Sequence, residues 1–411
     1  MLKHLVLIGL NFSPTKGAGD KNFWVDLIPL ITKKIKRISI LSIRYEKKDY
    51  EEFRLEDCLV SIKYLSPIFL GTPDTESKRL RIFWRRGAFP SHLGVIEKLL
   101  TGIRLSRELQ KLYKSNPYDH IHLMDNFGFS NGIIARNSPV RVSVSAIAYQ
   151  GKPKAIYDPY LRVSYNHSNL TVVPYSLAFC KKIALLGIKK NKIVHIPWGT
   201  KVPDHKPTLA ARKRAKSLLS LPLDKPLFLW GGYIQQIKKK DFLLAIEVAM
   251  NALRKGFEGL FYFAFKPKSI EKDFAGFNKP EEGILVKETT TEEFNLLKLA
   301  ADIFYSPIAN KNCIVAPPLT WIEVLSLGVP ILTTKAGGVE EIIIEGKTGF
   351  IAKSNDALIK KIFDIKDEYK NMIQYCYTKA LNSYNINDIA GKYLKLWNKQ
   401  SQDDIQGKKD I

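Results

Sequence analysis

Cysteine is scarce and scattered in this sequence. Cys58, Cys180, Cys313 and Cys376 stand far apart and form no Cys-x-x-Cys pair, so neither a disulfide scaffold nor a zinc site of that spacing is encoded. Long apolar runs are missing as well. The stretch Leu5 to Leu10 is six residues, far short of the roughly 20 that span a bilayer. It also lacks the small-residue cleavage site of a signal peptide. These absences predict a cytoplasmic protein. No Gly/Ser linker, internal repeat or low-complexity tract occurs before a polar tail from Gln400. Acidic residues are outnumbered, and the formal net charge is +24. The excess sits mainly in residues 1–200, with 32 basic against 15 acidic; residues 201–411 carry 32 against 25. A one-sided field of this kind favours an anionic partner such as phosphate or acidic lipid, the alternative being a lysine-rich composition with no partner. No recognition module for nucleic acid is present, so none is expected as a partner.

What is there alternates. His4–Leu10, Ile38–Ile43, Val60–Leu65, Ile121–Met124, Val140–Ala146 and Leu170–Val173 read as strands. Helical stretches at Asn22–Lys34 and Leu99–Lys114 fall between them. After the turn-rich Pro197–Pro203 the pattern restarts. Strands are read at Leu227–Trp230, Leu260–Phe265, Ile284–Val286, Ile303–Ser306 and Pro330–Thr333. Helices are read at Asp241–Leu253, Thr291–Ala300 and Leu319–Leu327, with a capping box at Thr290 and Glu293. Strand–helix alternation means parallel sheets covered on both faces. Two such α/β domains place ligands beyond the carboxyl ends of the strands, in the cleft between the domains.

The richest segment runs from Ala316 to Phe350. Pro317 and Pro318 preset the first turn of a helix, leaving the backbone N–H groups of Leu319 and Thr320 free for a pyrophosphate. Glu323, one turn on, is placed to accept two vicinal hydroxyls such as those of a ribose, at roughly 1.5–3 kcal/mol for a charge-assisted bond. Gly337-Gly338 allows close backbone approach to a sugar. Lys238, Lys239 and Lys240 follow a glycine turn and can neutralise a diphosphate; a solvated charge run is the plainer reading. Gly17 and Gly19 lie between the first strand and helix, suited to phosphate or acceptor. His122 stands at a strand end, where an imidazole can bond a substrate oxygen. Residues 78–107 hold eight basic residues, one acid and several aromatics, a composition that suits an anionic membrane surface.

Together these segments resemble the GT-B glycosyltransferases of family 4. The family's Glu-x7-Glu places its second Glu at Glu323 and its first at Val315. Asn191–Gly199 is similar to its "Lys-Ile-x-Val-Ile-Pro-Asn-Gly", with Trp198 for the Asn. Trp230–Ala245 is similar to its "Gly-Arg-x4-Lys-Gly" segment, with Gly232 at the Arg and Lys238 at the Lys. Ala301–Pro307 is similar to its "Ala-Asp-x-Phe-x-x-Pro" strand. His122 matches the first His of a His-x-His pattern, Met124 occupies the second, and Ser145 stands near another family His. The likeness covers about 165–352 well and is weaker over 1–164.

The resemblance implies an α/β GT-B fold of two Rossmann-like domains facing a central cleft. Residues 1–203 would bind acceptor and 204–375 the nucleotide sugar. Residues 376–411 would supply a helix crossing back to the first domain, plus the tail. It implies retaining transfer from a nucleotide-diphosphate sugar to a hydroxyl on a carbohydrate or lipid-linked acceptor. Lys238 and His122 would be catalytic. Glu323, Leu319, Thr320, Gly338 and Lys239 would hold donor, and Gly17 and Gly19 phosphate or acceptor. No Asp-x-Asp pair of a metal-dependent GT-A enzyme occurs, so no metal or other cofactor is expected. A peripheral position on the inner membrane face is expected from the basic stretch. A nucleotide-sugar epimerase of the same fold, or a catalytically impaired binding protein, are the competing readings.

Overall fold

The computed structural model describes residues 2–10, 12, 20–43, 50–66, 91–124, 130–146, 162–232, 236–265, 274, 276–310 and 318–407. They form two compact units. The first comprises Met1–Ala148, Lys152–Pro197 and Asn387–Ile411; the second comprises Tyr149–Gly151 and Trp198–Ile386. The chain thus passes between units inside the turn-rich stretch at Pro197, and its last helix groups with the first unit from Asn387 onward.

The first unit holds β1 (His4–Leu10), α1 (Asp20–Thr32), β2 (Arg37–Ile43), β3 (Tyr50–Leu55), β4 (Cys58–Leu65), α2 (Ser91–Ser115), β5 (His120–Leu123), α3 (Ser130–Asn137), β6 (Val142–Ala146), β7 (Leu170–Pro174) and α4 (Leu177–Leu185). The strand order is β3-β4-β2-β1-β5-β6-β7, parallel except for the antiparallel β3–β4 pair. β1, HLVLIGL, is buried along all but its last residue, as in a strand covered on both faces. β3 was not expected. Its sequence YEEFRL alternates intermediate and exposed positions, so it carries no apolar run to betray it. It forms because Glu56, at φ +52°, takes the left-handed turn conformation that closes a tight hairpin onto β4.

The second unit holds α5 (Leu209–Leu218), β8 (Leu227–Gly232), α6 (Gln236–Arg254), β9 (Leu260–Phe265), β10 (Ile284–Glu288), α7 (Thr291–Ala300), β11 (Ile303–Tyr305), α8 (Leu319–Ser326), β12 (Ile331–Thr334), β13 (Gly349–Ala352) and α9 (Asn355–Tyr384). Its strands run parallel in the order β10-β9-β8-β11-β12-β13. After β12 the chain makes a 3-10 turn at Val339–Glu341. The capping box of α7 forms: Glu293 N–H donates to Thr290 Oγ1 at 3.1 Å and Thr290 N–H to Glu293 Oε2 at 2.7 Å. β13 needs a glycine at its start, since a Cβ on Gly349 (φ +151°) would stand 1.9 Å from Ile331 O. The Ala301-Asp302 motif serves the fold. Asp302 Oδ2 accepts from Lys216 Nζ at 2.6 Å and from Leu227 N–H at 2.9 Å, and Arg212 donates to Leu327 O at 2.7 Å. These bonds fasten α5 to the amino ends of β8 and β11 and to Leu327, the residue that ends α8.

The closing helix, α10 (Ile386–Gly407), belongs to the first unit from Asn387. Tyr393 and Trp397 are fully buried and stack about Trp24 and His122 with ring centroids 4.9–5.5 Å apart. Leu2 N–H donates to Asn398 Oδ1 at 2.7 Å.

Candidate functional site

Along the carboxyl edge of the second sheet, four residues make a continuous wall. Gly231, next to last in β8, packs directly on Phe294: a Cβ there would lie 2.4 Å from Phe294 Cζ, so the ring would have to move. Lys298, one turn along α7 from Phe294, sets its ammonium 5.4 Å from the Phe294 ring centroid. The same ammonium donates to Glu323 Oε2 at 2.6 Å. Lys298 is 9% exposed, whereas the Glu323 side chain is 27% exposed. The carboxylate is therefore held through one oxygen while its side chain stays partly exposed.

Glu323 lies in the second turn of α8. That helix begins after Pro318, with no side-chain cap. Its first intrahelical acceptor is Pro318 O, which takes the N–H groups of Trp321 and Ile322. Leu319 and Thr320, both partly exposed, are the first two helical residues, whose N–H groups have no carbonyl within the helix to reach. A helix N-terminus with open donors and a partial positive charge suits an anion. Gly338 follows β12 on the same edge in the left-handed conformation, φ +90° and ψ −8°, which glycine adopts without strain. The neighbouring loop is fixed from three sides. Ala309 N–H donates to Asp241 Oδ1 at 2.7 Å, Ile308 N–H to Thr334 Oγ1 at 2.7 Å, and Thr333 Oγ1 donates to Ser306 O at 2.6 Å.

Lys238 sits in the first turn of α6, which begins at Gln236; its side chain lies outside the described residues. Lys239 places its ammonium 5.1 Å from the Phe274 ring centroid. Gly17, Gly19, Val315, Pro317 and the basic stretch 78–90 also lie outside the described residues.

His122 is corrected. It was expected at a strand end within reach of substrate. It is instead fully buried, one residue before the end of β5. Nδ1 hydrogen-bonds Ser143 Oγ at 2.7 Å and Nε2 bonds Ser145 Oγ at 2.9 Å. Both ring nitrogens are used, so none remains for a substrate oxygen. Burial holds its pKa well below the usual imidazole range, and that of its neighbour His120 is pushed down to about 3. Ser145, near the position of a second family His, serves as that hydroxyl partner. Lys298 and Phe294 were missed. A lysine and an aromatic on an amphipathic helix carry no motif, and only packing shows them converging on Glu323.

Residues 269–379 match the family described as "Glycosyl transferases group 1". A probable sucrose-phosphate synthase of Thermosipho melanesiensis is 25% identical over 166 residues, 40% of this chain and 39% of that protein. The chain thus spans about two fifths of the length of that curated relative. Among solved structures, a sucrose-phosphate synthase from Thermosynechococcus elongatus aligns with TM-score 0.70 at 14% identity, over 97% of this chain and 98% of that one. HepE of Anabaena, in complex with UDP, aligns with TM-score 0.68 at 12% identity, over 97% and 100%. The fold is that of the GT-B glycosyltransferases, and the chain resembles their group 1 members.

Proposed function

We propose that this chain is a glycosyltransferase of the family 4 kind, which moves a sugar from a nucleotide-diphosphate sugar to a hydroxyl acceptor with retention of anomeric configuration and without a metal. The observation that carries this reading is the open N-terminus of α8 with Glu323 one turn behind it. Glu323 would bind the ribose hydroxyls through the oxygen that Lys298 leaves free. The N–H groups of Leu319 and Thr320 would bind the diphosphate. Lys238, with Lys239 beside it, would meet the charge that develops on the leaving diphosphate, the kind of preorganised stabilisation that supplies much of a transferase's rate. Gly338 would let the backbone approach the transferred sugar. The first unit would hold the acceptor, with Gly17 and Gly19 near it, and the acceptor hydroxyl would attack on the face that the diphosphate leaves. That neighbouring solved structures carry UDP and UDP-glucose makes uridine nucleotides the first donors to try.

The decisive experiment is calorimetry with UDP-, GDP- and ADP-glucose, followed by transfer assays with the donor that binds. Binding followed by transfer to an added carbohydrate or lipid-linked acceptor supports the proposal. Donor isomerisation without acceptor would make the protein an epimerase, and binding without any turnover a binding protein. Among the described residues no helix is long and apolar enough to cross a membrane. Contact with an anionic membrane through residues 78–107 is part of the same proposal. It predicts binding to vesicles containing phosphatidylglycerol that fades with salt; no binding, or binding indifferent to salt, removes it.

A further inference from the structure

The first unit carries a cavity of about 320 Å³ between α2 and the strands β2, β3 and β4. It runs along the sheet from the amino end of β2, at Arg37, to Leu41 and Lys63 in the later halves of β2 and β4. Arg37 begins β2, and Ser115 at the end of α2 also lines the cavity. Strand register explains its polarity. Residues two apart share a face, so Arg37, Ser39 and Leu41 of β2 face the same way as Ser61 and Lys63 of β4, their paired neighbours or next to them. Tyr50 of β3 pairs with Lys63. On most sheet faces under a helix such positions are apolar. Here they form a hydrogen-bonded row: His4 Nε2 to Ser39 Oγ at 2.9 Å, and Ser39 Oγ to Ser61 Oγ at 3.1 Å.

The charges on the wall do not balance. Lys63 and Lys111 share one carboxylate, Glu108, at 2.6 and 3.0 Å. Arg37, which is half-buried, makes no ion pair among the described residues. Three cations therefore line the cavity against one lining carboxylate. Glu52, outside the lining, is taken up by the Tyr50 hydroxyl at 2.5 Å. A guanidinium without a counter-ion offers a fork that fits a phosphate or carboxylate. Along the same wall stand groups that suit a sugar: the Ser61 hydroxyl, which bonds Ser39, Glu108 as acceptor, and Tyr50, which is 54% exposed. Small-ligand sites are of this size and combine a shaped wall with a few convergent polar groups.

We propose that this cavity binds a phosphorylated monosaccharide, with the phosphate on Arg37 and Lys111 and the ring against Tyr50. The inference does not rest on the proposed transferase activity. Its test is calorimetry on the full chain with glucose 6-phosphate, mannose 6-phosphate, glucose and inorganic phosphate. At least one hexose phosphate should bind ten-fold or more tightly than glucose and inorganic phosphate. Arg37→Gln should weaken that binding at least ten-fold. Lys111→Gln should weaken it several-fold; its side chain is 74% exposed, so this variant tests the site without burdening the fold. Glu323→Gln should leave it unchanged, which separates this cavity from the α8 site. Absence of binding by both hexose phosphates would overturn the proposal. So would inorganic phosphate binding equally well, indifference to both cavity variants, or loss in Glu323→Gln.

Discussion

Lys298 Nζ lies 2.6 Å from Glu323 Oε2, a cation on α7 gripping a carboxylate on α8. Among the described residues the pair leaves the other carboxylate oxygen without a hydrogen bond, and on the proposed reading its ammonium would offset the repulsion between that carboxylate and a donor diphosphate. Glu323→Ala is expected to weaken nucleotide binding ten-fold or more, as loss of a charge-assisted bond costs about 1.5–3 kcal/mol. Lys298→Met should raise the donor KM several-fold with a smaller change in kcat. In the Glu323→Ala background it should do little, because the two act as one unit. Calorimetry on both single variants and the double variant decides it; additive losses would separate the two residues.

Lys238→Ala should slow transfer more than it weakens binding of the nucleoside alone. On the proposed reading Lys238 meets charge that develops on the leaving diphosphate, so its loss should appear mainly in kcat. Steady-state kinetics alongside nucleoside titration measures the split. Equal losses in both would assign Lys238 to ground-state binding.

Breaking the Lys216–Asp302 pair should damage the fold. Both side chains are nearly enclosed, 6% and 4% exposed, and Lys216→Met strands a carboxylate that also holds the Leu227 amide. Removing one partner of a buried pair costs about 3–5 kcal/mol. Urea unfolding should show that loss, whereas exposed Lys240→Met changes the midpoint little.

Acid should destabilise the first unit. Burial lowers the pKa of His120 to about 3 and that of His122 well below its ordinary value near 6.5. The unfolded chain therefore binds protons that the folded chain refuses. This part of the stability is complete above about pH 6.5 and is lost as the pH falls below it, by about 2 kcal/mol at pH 5 for His120, with His122 adding in the same direction. Urea midpoints at pH 7 and pH 5 measure the loss. His122→Gln should flatten the dependence, since its amide can keep hydroxyl contacts without titrating.

Periodicity and chain stops settle much of this protein before any contact is known. Runs such as HLVLIGL and LFYFAF are apolar throughout and short, which restricts them to strands buried on both faces, and β1 and β9 fall at the residues so read. Thr290 and Glu293 mark a helix start because the capping bonds are local, and Pro318 marks another because proline fixes its own backbone. Local rules could not place β3, whose charged alternation is stable only once β4 lies beside it. They could not tell that His122 faces Ser143 and Ser145, since a strand residue looks to either side with equal ease until a helix covers one of them. Nor could they bring Lys298 to Glu323 across 25 positions, or set Arg37, with no ion pair among the described residues, on one face with Ser39 and Ser61. Those juxtapositions come from long-range packing of parallel strands and crossover helices, where neighbours in space are strangers in sequence.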